Sequence, residues 1–330
     1  MKRIFALSVG IGKYTELANL NCPPNDAKDF VAVLQSGSNE THVKLIIDKT
    51  ATKSSIINEL KWLSNNAGPD DTAILYFSGH GGRQSTSADD QAFLCPVNAS
   101  PLNREQTCIT SQELNHELSA INSERLIVLL DTCYSGGMRD ARRRNTFISA
   151  GLGKDDVNSI VDGSGRVILA ASRPDQPAWE LHGMRNGLFT NYVLRALRGE
   201  AARTDGSIWV TDLFGYVSRG VRQHRCQSPF QRAVGEDFMV LKQRHRRLSP
   251  ARLEMDQRPL RRAMHRVYNR DEISVLCRDL GFTIEDLPGR TLETQIMDLI
   301  DHCQRHGLYE QLRARVKEDR PNLAPQITRI

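Results

Sequence analysis

Two residues in this chain have the type and the setting for nucleophilic chemistry. His80 stands in YFSGHGG (76–82), where the apolar run TAILYFSG breaks at Ser78-Gly79 and presents a titratable ring among glycines. Cys133 stands in DTCYSGG (131–137), 53 residues later, at the end of the next apolar run, RLIVLLDT. A thiol beside an imidazole is the minimum set for covalent catalysis, because the thiolate attacks and the ring carries protons. Each signal alone is ordinary, since a cysteine after a strand usually packs and a lone histidine is usually structural. Their joint placement, each in a glycine-flanked loop that closes an apolar run, points to a catalytic pair.

The elements that must position them alternate. Residues 4–11, 43–48, 72–79, 125–132, 166–172 and 237–241 read as strands, the middle ones apolar almost throughout, as parallel strands buried on both faces are. Residues 25–36, 53–67, 110–121, 187–199 and 210–224 read as helices, and Thr110 with Glu113 forms a capping box. The expected fold class is therefore α/β, a mostly parallel six-stranded sheet sandwiched by helices, with a small all-α domain after it. In open sheets of this kind, sites lie at the carboxyl ends of strands, so adjacent strands would bring His80 and Cys133 to one rim.

Composition narrows the setting. The 330 residues are 39% hydrophobic and 25% charged, as in ordinary globular proteins. No stretch approaches a membrane span, and the apolar start IFALSVGI reads as a first strand rather than a signal peptide. Seven cysteines with no CxxC pair disfavour a disulfide framework or a zinc cage and suit a cytoplasmic protein. The net charge of +5 falls entirely in residues 241–330. Its densest part, 241–262, carries eight basic and two acidic residues and reads as a solvated linker. Nucleic-acid binding there is disfavoured, because the aromatic platforms of single-strand binders are missing.

Together, YFSGHGG and DTCYSGG resemble the caspase-like cysteine peptidases, in particular their bacterial members and the metacaspases. The likeness continues through FALSVGIGKYTELANLNCPPNDAKDFVAVLQ, VILAASRPDQPAWE, GLFTNYVLRALRG and SIWVTDLFGYVSRGVRQ, and covers about residues 1–241. It implies peptide-bond hydrolysis through a thioester, with Cys133 as nucleophile and His80 as acid–base. It further implies an oxyanion hole made of the backbone N–H groups of Gly81 and Cys133; such donors lower barriers by about 3–4 kcal/mol each. A third, carboxylate member of the pair is not required by the family.

The nucleophile motif also bears on specificity. Asp131 lies two residues before Cys133 and so shares its strand face. Asp26, in PPNDA, matches an acidic position that lines the specificity pocket of metacaspase-like enzymes. Two carboxylates in one pocket select a cation, Arg above Lys. The plainer alternative is that Asp26 caps a helix and Asp131 satisfies loop amides. Asp175 and Glu180 are further candidates for the pocket wall, and Trp179 for an apolar neighbouring subsite, though an aromatic there is as often packing. An enzyme of that preference could cut the basic loop MRDARRRN at Arg142, Arg143 or Arg144. No cofactor is called for. Some metacaspases need calcium, and Asp89 with Asp90, and Asp155 with Asp156, offer oxygen ligands without an EF-hand pattern.

The expected division is a peptidase domain at 1–241, a basic linker at 242–255 and a helical domain at 256–330. LCRDLGFTIEDLPG and LIDHCQRHGLYEQLRARVKEDRPNL in the last resemble effector-associated, death-fold-like adaptor domains of bacterial conflict systems. That likeness implies recruitment by like-with-like pairing with a similar domain on a partner. The resulting expectation is a cysteine endopeptidase acting on protein substrates in bacterial defence or regulated cell death, activating a pore-forming partner by cleavage. The alternative is an idle scaffold acting through its tail.

Overall fold

The computed structural model describes residues 3–85, 90–133, 165–171, 185–224, 228–243, 260–287, 291–305 and 308–323. Contacts divide the chain into two compact units, with the break between Arg247 and Leu248.

The first unit is built on strands β1 (Ile4–Gly10), β2 (Thr41–Ile47), β3 (Thr72–Ser85), β6 (Arg125–Cys133), β7 (Arg166–Ala170) and β9 (Phe230–Val234). They lie in the order β2-β1-β3-β6-β7-β9. The first five run parallel and β9 closes the edge antiparallel to β7. All seven residues of β1 are buried, as expected of a strand covered on both faces. The short strands β4 (Asp90–Leu94) and β5 (Ile109–Thr110) extend the sheet, because β3 runs past its parallel partners and folds back on β4.

Helices cover both faces. Helix α1 (Pro23–Ser36) packs on β1, β2 and β3 and touches α5 (Leu188–Arg195), while α2 (Lys53–Asn66) packs on β1 and touches α4 (Ser111–Ser119). A single turn, α3 (Arg104–Thr107), precedes β5, and α6 (Val210–Arg222) lies against α5. The capping box at Thr110 forms as its sequence demands, Thr110 accepting from the Glu113 N–H. One expectation fails. The segment 237–241 is not a strand of the main sheet: β10 (Met239–Lys242) pairs with β8 (Ser207–Trp209) in a separate two-stranded sheet. The sixth sheet position goes to β9, FQRAV, which is largely exposed and owes its strand conformation to edge pairing.

The second unit contains α7 (260–267), α8 (Arg270–Asp279), α9 (Leu292–Arg305) and α10 (Tyr309–Asp319) around a core of its own. Leu276, Ile296, Leu299, Leu312 and Val316 are fully buried there. Asn269 caps α8 by accepting from the Glu272 N–H, and Gly281, at φ +88°, ends it in the left-handed conformation that glycine adopts freely. Among the described residues no helix is long and apolar enough to cross a membrane.

Candidate active site

The β3–β6 register runs from Thr72 opposite Arg125 to His80 opposite Cys133. Backbones of paired strands lie about 4.8 Å apart. The two candidates are therefore direct neighbours at the carboxyl edge of the sheet, because both apolar runs enter the ladder at the same level.

His80 is 8% exposed and held from three directions. Its backbone N–H donates to Tyr14 Oη (2.7 Å) and its carbonyl accepts from the Cys95 N–H (2.9 Å). Its ring Nε2 lies 2.8 Å from the carbonyl oxygen of Ala18. A carbonyl only accepts, so the proton sits on Nε2 and Nδ1 is the nitrogen that can exchange a proton. The Tyr14 ring tilts 45° against the imidazole, with centroids 4.7 Å apart. The orienting group for the histidine is thus a main-chain carbonyl.

Gly81 faces Leu94 across the β3–β4 ladder, and the bond from the Cys95 N–H to the His80 carbonyl makes this the rung without hydrogen bonds. The ladder to β4 therefore does not use the Gly81 N–H. A methyl group at Gly81 would lie 2.9 Å from Thr132 Cγ2, so the approach of the two strand ends excludes a side chain there.

Asp26 and Asp131 are brought together and are 0% and 1% exposed. Asp26 does not cap α1, which opens on Cys22 with Pro23 in its first turn. Instead, Asp26 Oδ2 accepts from Ser78 Oγ (3.0 Å), and Oδ1 accepts from Asn186 Nδ2 (3.0 Å) and the Gly187 N–H (3.1 Å). All three donors are neutral. Asp131 Oδ2 accepts from Thr190 Oγ1 (2.6 Å) and the Thr190 N–H (3.3 Å). Burial, and then the Asp131 carboxylate, push the Asp26 carboxyl well above the usual carboxylate range. The Tyr76 phenol beside them is raised too, by burial first and then by Asp26 and Asp131.

Ser78, Asn186, Gly187 and Thr190 were not among the expected site residues. Their one sequence signal is the Asn-Gly before an apolar helix, with Gly187 as its N-cap. Asn186 also donates to Asp29 Oδ2 (3.1 Å), and Asp29 holds Arg185 in a two-pronged ion pair at 2.8 and 2.9 Å. Asp175, Trp179, Glu180, Arg142, Arg143, Arg144, Asp89, Asp155 and Asp156 lie outside the described residues, as do the side chains of Asp90 and Cys133. Among the described residues, no group of three or more His, Cys, Asp or Glu side chains converges to hold a metal ion.

A family model described as a caspase domain matches residues 3–250, and one described as effector-associated domain 7 matches residues 260–321. Metacaspase-3 of Trypanosoma cruzi is 29% identical over 150 residues, covering 41% of this chain and 41% of its own length. Metacaspase-1 of Mycosarcoma maydis is 24% identical over 201 residues, covering 57% of this chain and 48% of its own. The chain thus spans less than half the length of these relatives. A protein of known structure from Geobacter sulfurreducens shares the fold, with a TM-score of 0.52 at 18% identity over 71% of this chain and 94% of that one. With the caspase-domain match spanning most of its length and the histidine and cysteine motifs side by side at the sheet edge, the chain belongs to the caspase family.

Proposed function

We propose that the protein is a cysteine endopeptidase that cleaves after basic residues, Arg in preference to Lys. One observation carries the reading: the His80–Cys133 neighbours stand beside a buried pair of carboxylates, one of them bonded only to neutral donors. A guanidinium entering beside Asp26 and Asp131 would give the two carboxyl groups a cationic partner, in a two-pronged geometry that an ammonium cannot match.

In the reaction, His80 Nδ1 takes the proton of the Cys133 thiol, and the resulting thiolate adds to the scissile carbonyl carbon. The N–H groups of Gly81 and Cys133 stabilise the oxyanion, and His80 passes the proton on Nδ1 to the departing amine. The carbon–nitrogen bond breaks, leaving a thioester. Water, deprotonated by His80, then hydrolyses the thioester, releasing the acid and restoring the thiol. A dependence on calcium, with Asp89 and Asp90 as ligands, and self-cleavage at Arg142, Arg143 or Arg144 belong to the same proposal. The effector-associated domain supports a recruitment role through pairing with a similar domain, and a setting in cytoplasmic defence or regulated cell death.

The test is hydrolysis of short fluorogenic peptides ending in Arg, Lys or Asp by the full chain, with and without calcium, beside Cys133→Ala. Release after Arg that vanishes in the variant is the expected result. Release only after Asp would overturn the role given to Asp26 and Asp131. Silence on every peptide, also after addition of the partner, would leave the scaffold reading.

A further inference from the structure

We infer that Asp48, which lies outside the catalytic pair and its carboxylate pocket, is a positioning residue for His80, acting through the loop between β1 and α1. Only the kinetic part of this inference rests on the peptidase reading. Among the described residues, Asp48 is the one non-glycine residue at positive φ (45°), immediately after β2. Aspartate tolerates this left-handed conformation better than most side chains, yet it remains a disfavoured state that surrounding structure must hold. What Asp48 does from there is specific. Its Oδ1 accepts from the N–H groups of both Gly12 (2.8 Å) and Lys13 (2.9 Å), fastening the point where the chain leaves β1.

The loop beyond is closed on itself and on the rim. The Leu20 N–H returns to the Gly12 carbonyl (2.8 Å), the Ile11 N–H reaches the Ser78 carbonyl (2.9 Å), and the Thr15 N–H reaches the Val97 carbonyl (3.1 Å). Asn19 Oδ1 accepts from the Tyr14 N–H (3.1 Å). This loop carries two contacts to the histidine, Tyr14 Oη on its backbone and the Ala18 carbonyl on its ring. The ring's orientation and tautomer are thus set by a loop whose first two amides are held by one carboxylate on a left-handed backbone.

The experiment uses the full chain labelled with 15N-histidine, with the His80 signal assigned from its loss in His80→Gln. In the wild type, the neutral His80 ring should show the Nε2–H tautomer. In Asp48→Ala, which removes the acceptor for both amides, both tautomers should appear, and kcat on the Arg peptide should fall about tenfold to a hundredfold with KM within about threefold. Asp48→Asn keeps the oxygen and the tolerance for positive φ and should restore both readouts. Asp48→Ser, with an acceptor for one amide, should fall between, and decides the matter should the alanine variant fail to fold. An unchanged tautomer in Asp48→Ala or Asp48→Ser, or an asparagine variant as impaired as the alanine one, would overturn the inference. A wild type silent on every peptide, also after addition of the partner, would instead sink the peptidase reading, while the tautomer would still decide the role of Asp48.

Discussion

Asp26 and Asp131 meet at Gly187. A methyl group built on that glycine would lie 3.0 Å from Asp131 Oδ2 and 3.4 Å from Asp26 Oδ2. The backbone there, at φ −56° and ψ 151°, admits any residue, so contact and not conformation demands the glycine. Gly187→Ala should therefore cost about 1–2 kcal/mol in urea unfolding and raise KM for Arg peptides. A variant with wild-type KM would show that the two carboxylates do not receive the substrate's cation.

The raised titration of Asp26 makes stability depend on pH with a definite sign. An unfolded aspartate titrates near about 3.9, and the folded Asp26 holds its proton well above that. The folded state binds the proton more tightly, so this group's contribution is fully present below the unfolded value and is lost as pH rises through the folded one. Asp26→Asn keeps an oxygen for Asn186 and Gly187 and removes the titration. Urea midpoints measured from pH 4 upward should fall less steeply in the variant than in the wild type, while cleavage after Arg weakens.

Thr190 serves two buried groups at once. Its hydroxyl donates to Asp131 and lies within hydrogen-bond distance of the Tyr76 hydroxyl. Thr190→Val keeps the shape and leaves both without that partner, at a cost of about 2–3 kcal/mol. Thr190→Ser retains the hydroxyl and should stay within about 1 kcal/mol of wild type. Equal losses in the two variants, read from denaturant curves, would mean that the methyl and not the hydroxyl matters.

Leu312 is completely buried in the core of the second unit. Leu312→Ala should destabilise that unit by about 2–4 kcal/mol. The proposed site lies in the first unit, so cleavage of short peptides should persist, and capture of a partner that carries a similar domain should be lost. Loss of peptide cleavage as well would tie the helical unit to catalysis.

The legible parts of this protein were those written in short range. Apolar runs marked β1, β3, β6 and β7 because strands covered on both faces tolerate little else, and the capping residue Thr110 opened α4 where expected. The misplaced sixth strand fits the same rule. Residues 237–241 have the apolar pattern but pair with β8, whereas FQRAV has almost no pattern and takes the edge beside β7. Pairing partners, not periodicity, decide a half-exposed edge.

The candidate site divides in the same way. His80 and Cys133 were evident because each ends its own apolar run among glycines, and equal entry into one ladder makes them neighbours. Asp131 followed from strand alternation. The groups that give those residues their character were not visible in the chain order. Asp26 takes a hydrogen bond from Asn186, 160 positions away, and His80 takes its orientation from Ala18, 62 positions away. Asp48 reaches the amides of Gly12 and Lys13 from the end of another strand. Residue type and local pattern marked which side chains are candidates for chemistry. Burial, tautomer and the company each carboxyl group keeps depend on atoms that only the closed sheet and its crossovers bring within a few ångströms, so the tertiary structure alone decided them.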